Sequence, residues 1–150
     1  MLYQSPIGPI TLTFDGEALT GLCFGSRVSG NSVVAAENLE KTRRWLDIYF
    51  SGRQPDFMPP IKLAGTDFQQ CVWRELLTIP YGKTITYGEL SRRIGCRSAQ
   101  AVGGAVGHNP VAIMVPCHRV IGSDGSLTGY AYGLDRKQYL LQLENNNQSL

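Results

Sequence analysis

The spacing of apolar residues changes from a strand period to a helix period within the first 60 residues. Residues 10–14 and 19–24 carry apolar clusters on either side of Asp15-Gly16, which is typical of a β-hairpin. Residues 33–50 then place apolar side chains at near-helical spacing. They are followed by a proline-rich stretch at 51–60 that indicates a linker. The pattern predicts a small α+β unit with nothing catalytic in it.

Helix-start signals organise the second half of the chain. Residues 66–69 (Thr-Asp-Phe-Gln) match a capping box, and the helix that they open is stopped by residues 79–82 (Ile-Pro-Tyr-Gly). Residues 86–89 (Thr-Tyr-Gly-Glu) form a second capping box and open a shorter helix. We expect a last helix from Asp135, followed by a polar, frayed tail at 145–150.

Two of these short helices are predicted to form a helix-turn-helix. The helix from the second capping box runs to Ile94 and is ended by Gly95, and residues 98–107 form the next helix. This second helix consists almost entirely of small residues and includes Gly103 and Gly104, each of which costs about 1 kcal/mol relative to alanine in a helix interior. Such a helix suits either a tight helix–helix contact or entry into a narrow DNA groove.

The segment 111–120 is apolar except where it carries Cys117, His118 and Arg119. We interpret it as a buried strand. The thiolate is the nucleophilic form of cysteine, and a neighbouring base or cation favours that form. A buried strand has no packing reason to carry these three residues together, so the segment indicates a reactive thiol. A lone Cys-His pair would more simply be a core cysteine.

Composition narrows the class of protein. The chain has 150 residues, of which 43% are hydrophobic and 17% charged, as in ordinary globular proteins. It shows neither an apolar run of membrane-spanning length nor a secretory signal, so we expect a cytoplasmic protein. Its four cysteines include no C-x-x-C pair, and we expect no metal site and no disulfide framework.

Positive charge is concentrated near the predicted helix-turn-helix. The net charge of the whole chain is +2, but residues 81–119 carry five Lys and Arg residues with Glu89 as the single carboxylate. Arg92, Arg93 and Arg97 belong to this group and suit contacts with phosphates. A solvated basic face would give the same count.

The order and spacing of several motifs resemble the O6-alkylguanine-DNA alkyltransferase family. The motifs are Ala101-Val102-Gly103-Gly104-Ala105, Asn109-Pro110, Pro116-Cys117-His118-Arg119-Val120 and Gly129-Tyr130. The resemblance extends from about residue 68 to residue 144. It implies an α+β fold, with a small ribonuclease-H-like hairpin and helix domain plus linker over residues 1–60. A mostly helical DNA-binding and alkyl-transfer domain, with the helix-turn-helix and an active-site loop, would occupy residues 61–150.

The resemblance also implies the catalytic roles. Cys117 would accept the alkyl group, and His118 would remove the thiol proton through an ordered water while Glu144 orients the imidazole. Asn109 would hold the turn between the recognition helix and the active-site loop. Tyr87 would crowd the target phosphate, help to rotate the nucleotide out of the duplex and donate a proton to the leaving guanine.

Further residues would form the base pocket. Tyr130, Ala131 and Tyr132 would line it, and the backbone carbonyls of Cys117 and Val120 would contact the base. Arg119 would tie down the loop. Small residues are common in the family at the position of Tyr132. The tyrosine ring would either narrow the pocket towards methyl groups or stack against larger alkyl groups.

The implied partner is double-stranded DNA containing O6-alkylguanine, bound through the minor groove by Ala99, Gln100, Ala101 and Gly103. Gln100 stands where many members carry an arginine that fills the space left by the flipped base. Gln can fill the same gap with no charge and less reach. We expect a monomer, with cooperative binding along DNA as an open alternative.

The implied activity is single-use direct-reversal repair, for which we expect no cofactor. The residues do not distinguish whether O4-alkylthymine is also repaired. Two other functions stay open at this point. One is a non-catalytic protein that binds the alkylguanine lesion, which Cys117 argues against. The other is a helix-turn-helix regulator in which Cys117 senses redox state or alkylation.

Overall fold

The computed structural model describes residues 1–26, 34–127 and 129–146. A three-stranded sheet and one long helix come from the first 50 residues, and short helices make up most of the remainder. The elements are β1 (Leu2–Ser5), β2 (Gly8–Phe14), β3 (Leu19–Phe24), α1 (Ala36–Phe50), α2 (Asp67–Leu76), β4 (Ile85–Thr86), α3 (Tyr87–Ile94), α4 (Ala99–Gly107), a 3₁₀ turn (Cys117–Arg119), β5 (Val120–Ile121) and α5 (Leu134–Asn146). The predicted α+β class is confirmed.

The N-terminal sheet is antiparallel with the order β1-β2-β3. The predicted hairpin corresponds to β2 and β3 and is confirmed, with the buried residues Ile10 and Leu12 lying opposite Phe24 and Leu22. Strand β1 was not predicted, because it is a short edge strand whose side chains, such as the exposed Leu2, give no apolar pattern.

Helix α1 lies within the predicted range 33–50 and begins at Ala36. Its buried side chains Trp45, Leu46 and Tyr49 join the core formed by the sheet. The hydroxyl of Tyr3 in β1 also donates to Asp47 Oδ1 at 2.6 Å, which fastens the helix to the edge of the sheet.

The first capping box is confirmed at the start of α2. The Thr66 side chain accepts from the Gln69 N–H, and the Gln69 side chain accepts from the Thr66 N–H. Trp73, on the buried face of this helix, donates its indole N–H to the Ala105 carbonyl in α4 at 2.9 Å. This buried bond connects α2 to the core-facing side of α4.

The predicted helix-turn-helix is formed by α3 and α4. Gly95 ends α3 in the left-handed conformation, with φ of 70°, and Ser98 caps α4 by accepting from the Ala101 N–H. The second predicted capping box forms only in part, because the reciprocal bond from its glutamate is absent. Thr86 accepts from the Glu89 N–H, but the Glu89 carboxylate binds the side chains of Arg92 and Arg93 on its own helix.

The interpretation of residues 111–120 as a buried strand is wrong. All ten residues are buried, but they form a looped chain that ends in the 3₁₀ turn at Cys117–Arg119 and the first residue of β5, Val120. The start of this loop is bound to β3, because the Leu22 N–H donates to the Pro110 carbonyl and the Leu22 carbonyl accepts from Ala112. The apolar composition of the segment correctly indicates that it is buried. Its looped path depends on backbone hydrogen bonds with β3, which the composition does not indicate.

Two further elements position the site. Strands β4 and β5 pair in parallel, with Ile85 opposite Val120, which brings the start of α3 beside the 3₁₀ turn. The last helix begins at Leu134 and includes residues 145 and 146 of the expected tail, and residues 147–150 lie outside the described residues. No helix in the described part of the chain is long and apolar enough to cross a membrane.

Candidate active site

Cys117 begins the 3₁₀ turn and is 6% exposed. Burial raises the pKa of its thiol, and the opposing effects of a hydrogen bond with Asn109 and of the nearby Lys137 charge do not reverse the rise. The thiol is therefore protonated at neutral pH. It needs a base if it is to react as a thiolate.

The residue after this cysteine, His118, is paired with a carboxylate. His118 Nε2 lies 2.6 Å from Glu144 Oε2, and both side chains are buried. Burial alone would raise the pKa of Glu144, but hydrogen bonds and charge from His118 and Arg119 lower it to about 2. The carboxylate is thus ionised and accepts, so the imidazole must carry its proton on Nε2.

The second imidazole nitrogen is consequently a base. Burial lowers the pKa of His118, and the opposing influence of Glu144 does not restore it, so the ring is neutral. Its Nδ1 atom is buried and has no hydrogen-bond partner among the described residues. The residue that follows Cys117 in the chain therefore carries an unshared lone pair on its Nδ1 atom, which can accept a proton.

Glu144 is the hub of a buried network. Its carboxylate accepts from Arg119 Nε at 2.8 Å, from the Gly82 N–H at 3.0 Å and from the Tyr49 hydroxyl at 2.6 Å. Arg119 also donates to the Ile79 carbonyl at 2.7 Å, so its guanidinium joins the C-terminal helix to the turn that follows α2. Tyr49 was not predicted as a site residue, because its place on the apolar face of α1 indicates only core packing.

Asn109 holds the loop in front of Cys117. Its Oδ1 accepts from the Val111 N–H at 3.0 Å, and its Nδ2 donates to the Val115 carbonyl at 2.7 Å. Ile113, between these two points, has a φ of 70°, which a β-branched residue adopts only under strain of about 1–3 kcal/mol. The asparagine side chain thus adds two hydrogen bonds that hold the path of the loop, in addition to the backbone pairing of the loop with β3.

Tyr87 and Lys137 lie close enough to Cys117 for its charge to act on the pKa of each of them. A Cβ added to Gly129 would meet the Tyr87 hydroxyl at 3.0 Å, and Gly129 has a φ of 71°. Burial and the Cys117 charge raise the pKa of Tyr87, which keeps its hydroxyl protonated. Lys137 is fully buried, and its Nζ donates to the Val120 carbonyl at 2.5 Å and lies 5.9 Å from the Tyr87 ring centroid.

Lys137 was missed because a lysine in a polar helix gives no signal of burial. It also engages the Val120 carbonyl, to which the resemblance assigns a contact with the base. Within the described residues, no group of three His, Cys, Asp or Glu side chains could hold a metal ion.

A small cavity opens beside the thiol. It is lined by Val106, Gly107, Asn109, Cys117, Gly129, Tyr130, Ala131 and Tyr132. Its volume is about 10 Å³, which is enough for roughly one water molecule. Of the residues predicted for the base pocket, the buried Tyr130, the half-buried Tyr132 and the exposed Ala131 line this cavity, whereas Val120 is not among its lining residues.

The outer face of α4 is exposed at Ala99, Gln100 and Ala101. A Cβ added to Gly103 or Gly104 would meet no atom within 4 Å. A tight helix–helix contact inside the described chain is therefore the wrong explanation for these glycines. The small residues leave this face of the helix slim and open to another molecule.

The three arginines of the predicted phosphate-binding face are exposed. Arg92 lies 2.5 Å from Glu89, and Arg93 lies 3.3 Å from Glu89 and 3.6 Å from Glu75. These carboxylates partly offset the positive charge of α3. Arg97, in the turn before α4, continues the basic surface towards the open face.

The fold and the site together define a protein in which a helix-turn-helix unit adjoins a buried cysteine equipped with its own base. The chain belongs to the 6-O-methylguanine DNA methyltransferase family. The ribonuclease-like domain of that family matches residues 1–63, and its DNA-binding domain matches residues 67–146.

Individual relatives agree with this assignment. The chain is 48% identical to the methylated-DNA–protein-cysteine methyltransferase of Mycobacterium tuberculosis H37Rv, over 95% of this chain and 90% of that protein. It is 46% identical to the enzyme of the same name from Methanosarcina barkeri, over 97% and 96% of the two chains. The crystal structure of M. tuberculosis OGT in complex with DNA superposes with a TM-score of 0.88 at 48% identity, covering 97% of this chain and 91% of that one.

Proposed function

We propose that this protein repairs O6-alkylguanine in double-stranded DNA by moving the alkyl group irreversibly to its own Cys117. The observation that carries the proposal is the buried thiol next to a neutral imidazole whose other nitrogen is held by an ionised carboxylate. Relatives named methylated-DNA–protein-cysteine methyltransferases support the same reaction.

The reaction begins with removal of the Cys117 thiol proton towards His118 Nδ1 through a water molecule, while Glu144 keeps the ring in the required tautomer. The thiolate then attacks the alkyl carbon. An S–C bond forms, the C–O6 bond breaks, and its electron pair stays with the guanine. The guanine is protonated as it leaves, and Tyr87 is the proposed donor.

The product is a thioether, which water does not cleave at a useful rate. Each molecule of the protein therefore acts once. Atoms and electrons balance with only the protein and the lesion, so the proposal requires neither a cofactor nor a metal ion.

The proposed DNA-binding surface is the open face of α4 together with Arg92, Arg93 and Arg97. A minor groove about 6 Å wide admits a slim helix better than one with large side chains. The exposed Gly104 and half-exposed Gly103, with nothing near an added Cβ, support this mode of binding. The arginines would contact phosphates, which position the protein without selecting a sequence.

The target base must leave the duplex, because the reacting carbon is otherwise out of reach, and unstacking it costs a few kcal/mol. Tyr87 would crowd the phosphate and help to rotate the nucleotide, and Gln100 would fill the space in the stack. Tyr130, Ala131 and Tyr132 would then receive the base. Action as a monomer, the division of the chain at residue 60 and a cytoplasmic location stay predictions.

The test is to incubate the protein with a duplex containing one O6-methylguanine and map its peptides by mass spectrometry. The expected result is one added methylene mass on the peptide with Cys117, none on Cys23, Cys71 or Cys96, and none in Cys117→Ser. Binding without any mass gain would instead support a lesion-binding protein. Binding that ignores the lesion and prefers one sequence would support a regulator.

A further inference from the structure

The Tyr49 hydroxyl meets the same oxygen of Glu144 that holds the imidazole. It donates to Glu144 Oε2 at 2.6 Å, and His118 Nε2 lies 2.6 Å from that oxygen as well. The hydroxyl oxygen is also 3.5 Å from His118 Nε2. Tyr49 therefore shares one carboxylate oxygen with the imidazole, although it belongs to α1 and precedes the histidine by 69 positions.

The protonation states at this oxygen make the tyrosine a donor. The Glu144 carboxylate is ionised, because its pKa is lowered to about 2. Burial and the Glu144 charge raise the pKa of Tyr49, so its hydroxyl keeps its proton. A hydrogen bond donated to a carboxylate stabilises the negative charge there. The bond from Tyr49 thus weakens the pull of that oxygen on the proton and the positive charge of an imidazolium ion.

Aromatic packing fixes the place of this hydroxyl. The Tyr49 ring is fully buried and stacks on Trp45, with centroids 5.3 Å apart. Phe50 and Tyr81 pack against it edge-on, with centroid distances of 5.4 and 6.2 Å. A phenylalanine at position 49 would keep these ring contacts and lose only the hydroxyl.

Other donors already balance the charge of Glu144. Its Oε1 accepts from Arg119 Nε at 2.8 Å and from the Gly82 N–H at 3.0 Å, and Arg119 Nη2 lies 3.2 Å from Oε2. The tyrosine adds a further donor at the oxygen that His118 uses. Its effect is therefore expected at the imidazole.

The titratable and charged groups around the imidazole come from α1, from α5, from its own turn and from the turn after α2. Among the described residues they are Tyr49, Lys137, Glu144, Arg119 and Tyr81. Burial, together with the two cations, lowers the pKa of His118, and Glu144 raises it. The buried face of α2, which also packs against the turn, is hydrophobic and consists of Val72, Trp73 and Leu76. Glu144 is therefore the group through which Tyr49 acts on the base.

We propose that Tyr49 is a positioning residue for alkyl transfer, whose hydroxyl shares Glu144 Oε2 with His118 and so keeps the imidazole available as a neutral base. The inference rests on the proposed function. Tyr49 does not touch the reacting atoms and acts through Glu144. Because α1 carries the hydroxyl, the ribonuclease-like part of the chain takes part in setting the state of the base.

The experiment compares the unaltered protein with Tyr49→Phe and with the matched control Tyr3→Phe. The Tyr3 hydroxyl donates to Asp47 on the same helix, also at 2.6 Å. The control therefore removes a phenol–carboxylate bond of equal length that does not reach Glu144. Both substitutions keep the aromatic ring.

The first measurement is an NMR titration of the imidazole signals between about pH 5 and pH 8, the range in which histidine changes charge. The chain has two histidines, and the exposed His108 serves as the internal reference. We expect Tyr49→Phe to move the midpoint of the His118 titration to higher pH by about half a unit or more, since it removes a hydrogen bond to an ionised group. Tyr3→Phe should leave it unchanged. The signals report on folded molecules, so a loss of stability does not imitate the shift.

The second measurement is the single-turnover rate of methyl transfer from saturating duplex over the same pH range. A higher midpoint removes neutral base only on the acid side. On that limb the rate of Tyr49→Phe, relative to its own rate at pH 8, should therefore fall by about threefold or more. A defect of packing alone would lower the rate by the same factor at every pH.

An unchanged or lower midpoint for His118 in Tyr49→Phe would overturn the proposal, and so would an equal shift in Tyr3→Phe. A rate that falls uniformly with pH-independent size would show that the hydroxyl has only a structural role. Absence of methyl transfer by the unaltered protein would refute the proposed function instead, and the NMR comparison would still decide whether Tyr49 sets the state of the imidazole.

Discussion

His118 Nε2 and Glu144 Oε2 lie 2.6 Å apart in the buried centre of the protein. The pair joins the 3₁₀ turn that carries the thiol to the last helix. Through the Tyr49 hydroxyl, which donates to the same carboxylate oxygen, it also reaches α1 in the N-terminal part of the chain. A single carboxylate thus sets the tautomer of the base and connects three distant segments.

Replacement of Glu144 by glutamine should affect both stability and reaction rate. Arg119 would stay buried without its counter-charge, and removal of one partner from such a pair costs about 3–5 kcal/mol. The imidazole would lose its orienting partner, so the transfer rate should fall by about 100-fold, the lower end of what a positioned base contributes. Urea unfolding and single-turnover rates measure the two effects.

The matched control is Glu40→Gln, at an exposed position of α1, which should change stability by less than about 0.5 kcal/mol. The pKa of Glu144 is lowered from 4.5 to about 2, so its contribution to stability is present above pH 4.5 and is lost as the pH falls towards 2. Equal acid sensitivity of the Glu144→Gln variant and the unaltered protein would contradict this role.

The pH dependence of alkyl transfer should change when His118 is replaced by glutamine. Burial lowers the pKa of His118, so the neutral base is present throughout the neutral range and the rate should be nearly flat there. Burial raises the pKa of the Cys117 thiol. Without the base, the rate should therefore follow the thiolate fraction and rise about tenfold per pH unit. Profiles of the same shape in both proteins would show that His118 is not the base.

Gly103→Ala should have opposite effects on folding and on DNA binding. Alanine favours a helix interior by about 1 kcal/mol over glycine, and the open space around Gly103 accepts the methyl group, so the free energy of unfolding should increase. The same methyl group should collide with a wall of the DNA groove and raise the Kd for duplex DNA by about 5- to 100-fold. This range is the free-energy cost of overpacking, about 1–3 kcal/mol, converted to a change in affinity. Thermal unfolding and a duplex-binding titration measure both. An increase in stability with an unchanged Kd would show that DNA does not bind at the face of α4 that carries Gly103.

Gln100→Arg tests what the uncharged residue contributes on α4. An arginine there should make the dependence of log Kd on log salt steeper by about 1 and should accelerate transfer from duplex DNA. Transfer from free O6-benzylguanine, which needs no flipping, should not change. Gln138→Arg adds the same charge at an exposed position of α5 and is the control. The same gain in both variants would show a non-specific effect of charge.

The sequence was sufficient to predict those features whose interacting residues lie close together in the chain. The Thr66 capping box, the Gly95 helix end and the Ser98 cap form as predicted, because each depends on residues within four positions of one another. Cys117 and His118 were identified for a similar reason, since they are neighbours in the chain and stand out in an apolar segment.

What the sequence did not reveal depends on contacts between distant segments. Tyr49 reaches Glu144 across 95 positions, and Lys137 is buried in a helix whose composition looks solvent-exposed. The apolar composition of residues 111–120 is typical of a buried strand. Backbone pairing with Leu22 and the hydrogen bonds from the Asn109 side chain nevertheless impose a looped path. No periodicity within the segment encodes those partners.

The most direct test of single-use transfer to Cys117 is a titration with the lesion in excess. Increasing amounts of a duplex with O6-methylguanine are added to a fixed amount of protein, and the guanine restored is counted against the S-methylcysteine found at position 117. Both quantities should rise together and stop at one per protein molecule. Restoration of more than one guanine per molecule, or restoration without methylation of Cys117, would contradict single-use transfer to this residue.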